Sequence, residues 1–204
     1  QAAEKALTGE LRALLPGSMV VGEEAVSKDP KVLDILAGDT PVWIIDPIDG
    51  TYNFKEGRSR FGVLVALAHK GQTMAGWSYD VPNDSMAMAV KGAGAFIDHG
   101  RKDAPHPLRR APLGVTELKD MAGFCGGAQA WHFKNVTKNF KKLVNERSSL
   151  HDFLDFATGR ADFVLHKKTT PWDHTAGILL AEEAGGYVGI NKDERYRPDR
   201  YGDC

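Results

Sequence analysis

Apolar residues follow two periods along this chain, and together they predict a protein of mixed helices and strands. Helical spacing recurs in some segments. Alternating or continuous apolar runs, bounded by glycine and proline, predict strands in others. The predicted helices are residues 2–15, 30–38, 131–145, 150–158 and 171–184. The predicted strands are residues 19–21, 42–45, 61–69, 73–79, 85–90, 95–98, 119–124, 162–166 and 187–190.

The order of these elements indicates how the chain is organised. Short turns join the strands of residues 61–98, which predicts an antiparallel meander. Residues 99–115 are rich in proline and arginine and are interpreted as a connector, after which helices and strands alternate. Residues 195–204 are polar and turn-rich and are expected to close no element. A length of 204 residues suits one globular domain or two closely packed halves.

The most informative stretch follows the apolar run of residues 42–45. We expect that strand to stop at Asp46, because Pro47 has no N–H to donate to a continuing ladder. Asp49 comes three residues later, and Gly50-Thr51 can open a helix. Carboxylates at the end of a buried strand are costly unless a positive charge lies between them. The stretch therefore predicts a site for a hard divalent cation.

Two further acidic residues occur in similar settings. Glu23 ends a predicted strand, and Asp173 lies in the first turn of a predicted helix. Four carboxylates in one place would repel one another, and two or three Mg²⁺ ions would neutralise them. Oxygen ligands also suit Mn²⁺ but not zinc. The alternative is that these are ordinary turn and cap acids, which is the better reading for Asp173 taken alone.

Gly50-Thr51 adds a second chemical feature. Backbone N–H groups at the start of a helix bind phosphate oxygens. Metal ions beside such a start indicate a phosphoryl substrate, because a metal pair activates water and stabilises the attacking and leaving oxygens.

Composition narrows the choice of partners and compartment. The chain is 42% hydrophobic and 26% charged, with a net charge of −1, so no polyanion such as nucleic acid is expected as a partner. No apolar run approaches the ~18 residues of a membrane span, and no signal peptide is recognisable. Cys125 and Cys204 form no CxxC pair, which argues against a disulfide scaffold or a zinc site. A cytoplasmic protein without membrane contact is expected.

Three motifs, in this order, resemble those of the inositol monophosphatase family, which comprises lithium-sensitive, magnesium-dependent sugar phosphatases. The resemblance covers essentially the whole chain. The motifs are Gly22-Glu23-Glu24, the stretch from Trp43 to Phe54 that reads WIIDPIDGTYNF, and Trp172-Asp173-His174-Thr175-Ala176-Gly177 with Glu183-Ala184-Gly185-Gly186.

The resemblance implies a fold and a set of roles. The fold would be α+β, a layered α-β-α-β-α arrangement with mixed, largely antiparallel sheets. Residues 1–204 would form a single domain with subdomains of about 1–108 and 109–204, and the protein would be a homodimer.

The resemblance also assigns roles to residues. Glu23, Asp46 and the Ile48 carbonyl would hold one metal ion. Asp46, Asp49 and Asp173 would hold the second, and Glu23 would contact a weaker third. Catalysis would involve Asp46, with Glu23 and Thr51 orienting the attacking water. The implied substrate-binding residues are Asp49, Gly50, Thr51, Ser148, Ser149, His166 and Asp173.

The chain departs from the family pattern in three respects. Where an inositol-specific enzyme has a glutamate, this chain has His166, and Arg147-Ser148-Ser149 replaces the commoner Gly-Ser/Thr-Ala. A histidine can donate a hydrogen bond that a carboxylate cannot, so strict inositol specificity is not expected. An aspartate expected before Gln1, and a last strand and helix expected after Gly202, are not in the sequence. We therefore expect a piece of a longer protein.

These observations predict a Mg²⁺-dependent phosphomonoesterase acting on inositol monophosphate or a similar small sugar or polyol phosphate. Histidinol phosphate, fructose 1,6-bisphosphate and 3′-phosphoadenosine 5′-phosphate are alternative substrates. A second alternative, from another class, is a non-catalytic regulatory protein that keeps the fold and the metal site.

Overall fold

A sheet of seven strands forms the framework of the protein. The computed structural model describes residues 2–100, 103–126, 138–190 and 194–203. The strands lie in sequence order from β1 to β7, with β1 and β2 parallel and every later pair antiparallel. They are β1 (Met19–Gly22), β2 (Val42–Asp49), β3 (Gly62–His69), β4 (Gln72–Asp80), β5 (Ser85–Val90), β6 (Gly94–Asp98) and β7 (His106–Leu108).

Two smaller sheets belong to the second half of the chain. One is parallel in the order β10-β8-β9, and the other is an antiparallel pair of β11 and β12. Their strands are β8 (Ala122–Cys125), β9 (Lys142–Val144), β10 (Phe163–Leu165), β11 (Lys168–Thr169) and β12 (Gly202–Asp203).

Five α-helices and two 3₁₀-helices complete the described part of the chain. Among the described residues, every helix falls short of the length or the hydropathy that a membrane span requires. The α-helices are α1 (Ala2–Leu14), α2 (Glu23–Lys28), α3 (Thr51–Lys55), α4 (Ser149–Ala157) and α5 (Pro171–Glu183), and the 3₁₀-helices are Pro30–Ala37 and Leu118–Asp120.

Helix α5 is the buried element that joins the two halves. It packs against α4 and across β2 to β6 of the large sheet. Gly76 of β4 permits this close approach, since a Cβ there would lie 2.9 Å from the Cα of Ala176 in α5. Leu64 of β3, Leu150 of α4 and Leu180 of α5 are each at most 1% exposed and belong to the same apolar core.

The structure corrects the predicted end of the central strand. Strand β2 does not stop at Asp46 but continues through Pro47 to Asp49. Its pairing with β3 is regular up to Asp46, shifts register, and resumes where Asp49 opposes Gly62. The ladder is interrupted where Pro47 has no N–H to give, so the proline is accommodated by an irregularity rather than by the end of the strand.

Other predictions in the second half of the chain were wrong. Residues 138–145 of the predicted helix contain the short strand β9 instead, and residues 131–137 lie outside the described part. Residues 187–190 form no strand and contribute one isolated bridge, between Ile190 and Glu194. The connector contains β7, and the C-terminal segment contains β12. For β7, β9 and β12 the cause is a length of two or three residues, which is too short to show a period in the sequence.

We predict that Gly76→Ala destabilises the protein, by about 1–3 kcal/mol, because the added methyl must displace the backbone of α5. Gly9→Ala is the matched control. Gly9 lies in α1 with nothing near its Cβ position, so the same change is expected to stabilise by about 0.5–1 kcal/mol. Denaturant unfolding measures both. Equal effects of the two substitutions would contradict the packing described for α5.

Candidate active site

Four acidic side chains border one cavity of about 280 Å³. Asp46 and Asp49 come from the end of β2, Glu23 from the first turn of α2, and Asp173 from the first turn of α5. Oxygens of Asp46, Asp49 and Asp173 lie within 4.8 Å of one another. Residues separated by more than 120 positions in the sequence are thus brought to one place by the fold.

Burial and mutual repulsion make these carboxylates hard to ionise together. The pKa of Asp46 is raised to about 10, first by burial and then by the charges of Asp49, Asp173 and Glu23. Burial is also the largest cause of the raised pKa of Asp49, Asp173 and Glu23. In the absence of a cation, protons must supply the missing positive charge. The all-oxygen donor set and the short spacing fit a hard divalent ion such as Mg²⁺.

The turn after β2 requires glycine at position 50. Gly50 adopts a left-handed conformation with φ of 77°, and a Cβ there would lie 2.6 Å from the carbonyl oxygen of Arg60. The turn is closed by the Thr51 hydroxyl, which donates to the Ile48 carbonyl at 2.9 Å. The N–H of Ile48 donates to Asp46 Oδ1 at 2.9 Å, which fixes the orientation of that carboxylate.

The helix that carries Glu23 is held by a residue of α1. The Glu4 carboxylate accepts hydrogen bonds from the N–H groups of Glu24 and Ala25, at 2.9 and 3.1 Å. Gly22 makes room for it, since a Cβ there would meet the Glu4 carboxyl carbon at 2.3 Å. Glu4 thus satisfies donors that the first turn of α2 cannot pair internally.

Four donors at the start of α4 hold Asp49. Its Oδ1 accepts from the N–H and the hydroxyl of Ser149, at 3.1 and 2.7 Å. Its Oδ2 accepts from the Ser148 hydroxyl and from the N–H of Leu150. These bonds favour the ionised carboxylate and oppose the effect of burial on its pKa. The two serines predicted to bind substrate therefore direct their hydroxyls at a predicted metal ligand.

A buried chain of polar groups continues from Asp49 into the protein. The Ser148 hydroxyl also lies 2.7 Å from Nδ1 of His151, whose Nε2 faces Asp80 Oδ2 at 3.3 Å. The pKa of His151 is lowered, mainly by burial, which favours the neutral ring. A single hydroxyl proton cannot serve two acceptors, so Asp49 and an unprotonated Nδ1 of His151 compete for it.

His166 borders the same cavity. Its ring stacks on Phe153 at a centroid distance of 5.7 Å and meets the edge of His174 at 4.5 Å. Its Nε2 lies 3.8 Å from Asp152 Oδ2. Burial, followed by the effect of His174, lowers the pKa of His166 to about 3, while burial raises the pKa of Asp152 to about 8. This wall of the cavity is therefore neutral rather than acidic.

Every site residue named from the sequence borders the cavity, although the roles assigned to them stay predictions. They are Glu23, Asp46, Ile48, Asp49, Gly50, Thr51, Ser148, Ser149, His166 and Asp173. Residues not named for the site from the sequence include Arg147, Asp152 and Lys168, which border the cavity, and His151 and Asp80, which continue the polar chain from Ser148. In the sequence, Arg147 directly precedes the Ser148-Ser149 pair and His151 follows it by two residues. Their closeness to these predicted substrate-binding residues could have indicated that they belong to the site. Tyr79-Asp80 resembles the family pattern without indicating a role, and nothing in the pattern around Asp152 marks that residue.

The comparisons with known proteins agree on one family. The model of the inositol monophosphatase family matches residues 1–202. The inositol-1-monophosphatase of Bacillus subtilis is 27% identical over 193 residues, which are 90% of this chain and 67% of that protein. A protein of Pasteurella multocida named Nus factor SuhB is 30% identical over 201 residues, 92% of this chain and 68% of its own length.

A solved structure supports the fold. The Thermotoga maritima IMPase superposes with a TM-score of 0.80 at 24% identity, covering 98% of this chain and 74% of that one. The predicted α+β architecture is thereby confirmed. The chain spans about two thirds of the length of the two curated relatives.

We predict that the metal-free protein loses stability as pH rises. The folded protein keeps a proton on Asp46 up to about pH 10, whereas the unfolded chain loses it near pH 3.8. Between these values the native state binds more protons, so the free energy of unfolding falls, by up to about 1.4 kcal/mol per pH unit for one such group. Thermal melts in a chelator at pH 6 and pH 8.5 measure the effect.

Asp46→Asn should reduce this slope by the share of one proton and raise the melting temperature at pH 8.5, because asparagine is neutral without having to take up a proton on folding. Asp34→Asn, which changes an exposed carboxylate, is the control for net charge. A slope that is the same in Asp46→Asn and in the unchanged protein would contradict the assigned cause.

We predict that Ser148→Ala lowers the free energy of unfolding by about 1–2 kcal/mol, because Ser148 caps α4 and also donates to Asp49. Thr158→Ala is the comparison at the opposite end of the same helix. It removes a hydroxyl that donates a hydrogen bond to the Leu154 carbonyl, one turn earlier. Its cost should be smaller. Urea unfolding compares the two, and equal costs would count against the role of Ser148.

Proposed function

The chain belongs to the inositol monophosphatase family, and on that premise we propose that it is a metal-dependent phosphomonoesterase acting on a small sugar or polyol phosphate. The observation that carries the proposal is the convergence of four carboxylates on one cavity beside the Gly50-Thr51 turn. Structural acids are normally paired with cationic side chains, whereas these are buried with one another.

The residues fit Mg²⁺, and their placement supports a division of labour. Glu23, Asp46 and the Ile48 carbonyl would hold one ion, and Asp46, Asp49 and Asp173 a second. A bound Mg²⁺ supplies Lewis-acid polarisation of the phosphoryl group and lowers the pKa of water. The donors that surround Asp49 and Asp46 keep both carboxylates in fixed orientations, so little rearrangement is needed when cations bind.

The chain's own groups orient the reactants. The Thr51 hydroxyl donates a hydrogen bond to the Ile48 carbonyl, so the lone pairs of its oxygen can accept a hydrogen bond from the attacking water. The half-buried Glu23 carboxylate, whose pKa is raised, would accept the second proton of that water. The backbone amides of Gly50 and Thr51 would bind the phosphate oxygens. The leaving alcohol would then lie towards Ser149 and His166.

The polyol side of the cavity supports a broad substrate class rather than inositol 1-phosphate alone. Where inositol-specific members have an acceptor carboxylate, this cavity has a neutral imidazole, which can donate to a hydroxyl oxygen. Histidinol phosphate, fructose 1,6-bisphosphate and 3′-phosphoadenosine 5′-phosphate remain alternative substrates. Together with inositol 1-phosphate they form the panel of compounds to be tested. The homodimer and the lithium sensitivity stay predictions.

A second candidate function is regulatory, and the name of one relative favours it. The Pasteurella multocida protein is named as a Nus factor, so this fold is also named for a role other than hydrolysis. A protein of this kind would bind Mg²⁺ at the same carboxylates and turn over none of the phosphate esters.

We predict that Asp46→Asn lowers the rate of phosphate release from inositol 1-phosphate in Mg²⁺ by about 10³-fold, because Asp46 contributes to both ion sites. Phosphate release at saturating Mg²⁺ measures it, with Asp34→Asn as the control. An unchanged rate would refute the assignment. Mg²⁺ binding without hydrolysis of any substrate in the panel would favour the regulatory function.

A further inference from the structure

The cavity that gathers the carboxylates has a rim of opposite charge. Arg147 and Lys168 border the same space, on the side of the cavity formed by the second half of the chain. Both side chains are exposed, so they reach solvent as well as the cavity. The hydroxyl groups of a neutral polyol offer the guanidinium of Arg147 no counter-charge, whereas an anionic group on the substrate would.

Arg147 is fixed in place by several contacts. Its backbone is left-handed, with φ of 58°, a conformation that costs energy in a non-glycine residue. Its N–H donates to Asn145 Oδ1 at 2.9 Å. The neighbouring Glu146 carbonyl accepts from the buried Asn53 side chain at 2.8 Å, which ties this loop to α3. The loop is thus anchored rather than free.

The guanidinium group is held against the start of α3. Its central carbon lies 4.1 Å from the centroid of the Tyr52 ring, a cation–π contact with the residue that follows Thr51. In the chain, Arg147 directly precedes Ser148, which donates to Asp49. No carboxylate in the described part of the chain forms an ion pair with Arg147. Stacking occupies the face of the guanidinium and leaves its N–H edge available for an anion.

We propose that Arg147, stacked on Tyr52, binds a second anionic group on the leaving-group part of the substrate. The substrate class is then a phosphate monoester that carries another phosphate or a carboxylate. This inference rests on the proposed function and specifies its substrate. The planar fork of an arginine pairs with either anion through two parallel hydrogen bonds, and Lys168 adds a second positive charge at the rim.

Two matched substrate pairs test the proposal. Fructose 1-phosphate and fructose 1,6-bisphosphate differ by the second phosphate, and glycerol 2-phosphate and 2-phosphoglycerate differ by a carboxylate. In Arg147→Ala we expect kcat/KM for fructose 1,6-bisphosphate to fall by about 10- to 100-fold, mainly through KM. For fructose 1-phosphate the change should stay within about threefold. Arg147→Lys should restore part of the loss, because it restores the charge without the fork.

Arg58→Ala is the matched control. Arg58 also lies over the Tyr52 ring, at 5.2 Å, but does not border the cavity. It should leave the preference for the bisphosphate unchanged, whereas Tyr52→Leu, which removes the stacking surface, should weaken it. A selective loss in both substrate pairs supports a general anion site, and a selective loss in the fructose pair alone supports a phosphate site.

The proposal is overturned if Arg147→Ala slows both members of each pair equally, or neither. An equal loss would mean that Arg147 binds the reacting phosphate or only supports the loop. If the unchanged protein hydrolyses none of the four compounds, the proposed function fails, and calorimetric binding of the same pairs still decides the inference. Tighter binding of the bisphosphate that is lost in Arg147→Ala would support it, and equal binding would refute it.

Discussion

The repulsion between buried carboxylates is the constraint on which the rest of this site depends. Asp46, Asp49 and Asp173 present oxygens within 4.8 Å of one another, in a position where burial already disfavours charge. A fold that only needed stability would not place them together, because buried like charges each raise the free energy of the native state. The arrangement makes physical sense as a site that is completed by cations.

Several local features keep these groups in position against that repulsion. The irregular ladder at Pro47 lets β2 present two carboxylates three residues apart, and the left-handed Gly50 turns the chain away immediately afterwards. The start of α4 supplies four donors to Asp49. Glu4 fixes the helix that carries Glu23. Each contact orients a ligand before any cation binds, which is how outer contacts support a metal site.

The sequence was most informative where chemistry is concentrated in a short string. The run from Asp46 to Thr51 indicated a strand, a turn and a cation site together, and all ten residues named from the sequence border one cavity. Periodicity also gave the meander of β3 to β6 and the helices α4 and α5, because these elements are long enough to show a repeat. The α+β class was implied by the resemblance to the inositol monophosphatase family.

What the sequence could not give depends on tertiary contacts. The continuation of β2 beyond Pro47 is decided by pairing with β3, a segment that lies elsewhere in the sequence. The chain from Asp80 through His151 to Ser148 joins a strand end to a helix start, and no local pattern relates them. Arg147 was visible as a departure from the family pattern, but its contact with Tyr52 depends on the packing of α3 against the loop before α4.

These four carboxylates are expected to form a cation site, and anomalous diffraction from crystals grown with Mn²⁺ would locate the ions. Mn²⁺ accepts the same oxygen ligands as Mg²⁺ and can be located without reference to the protein atoms. We expect anomalous peaks in the cavity, with Asp46 coordinating, and Asp49, Asp173 and Glu23 completing the ligand set. A cavity without any peak, in crystals where Mn²⁺ is bound elsewhere or not at all, would contradict this expectation.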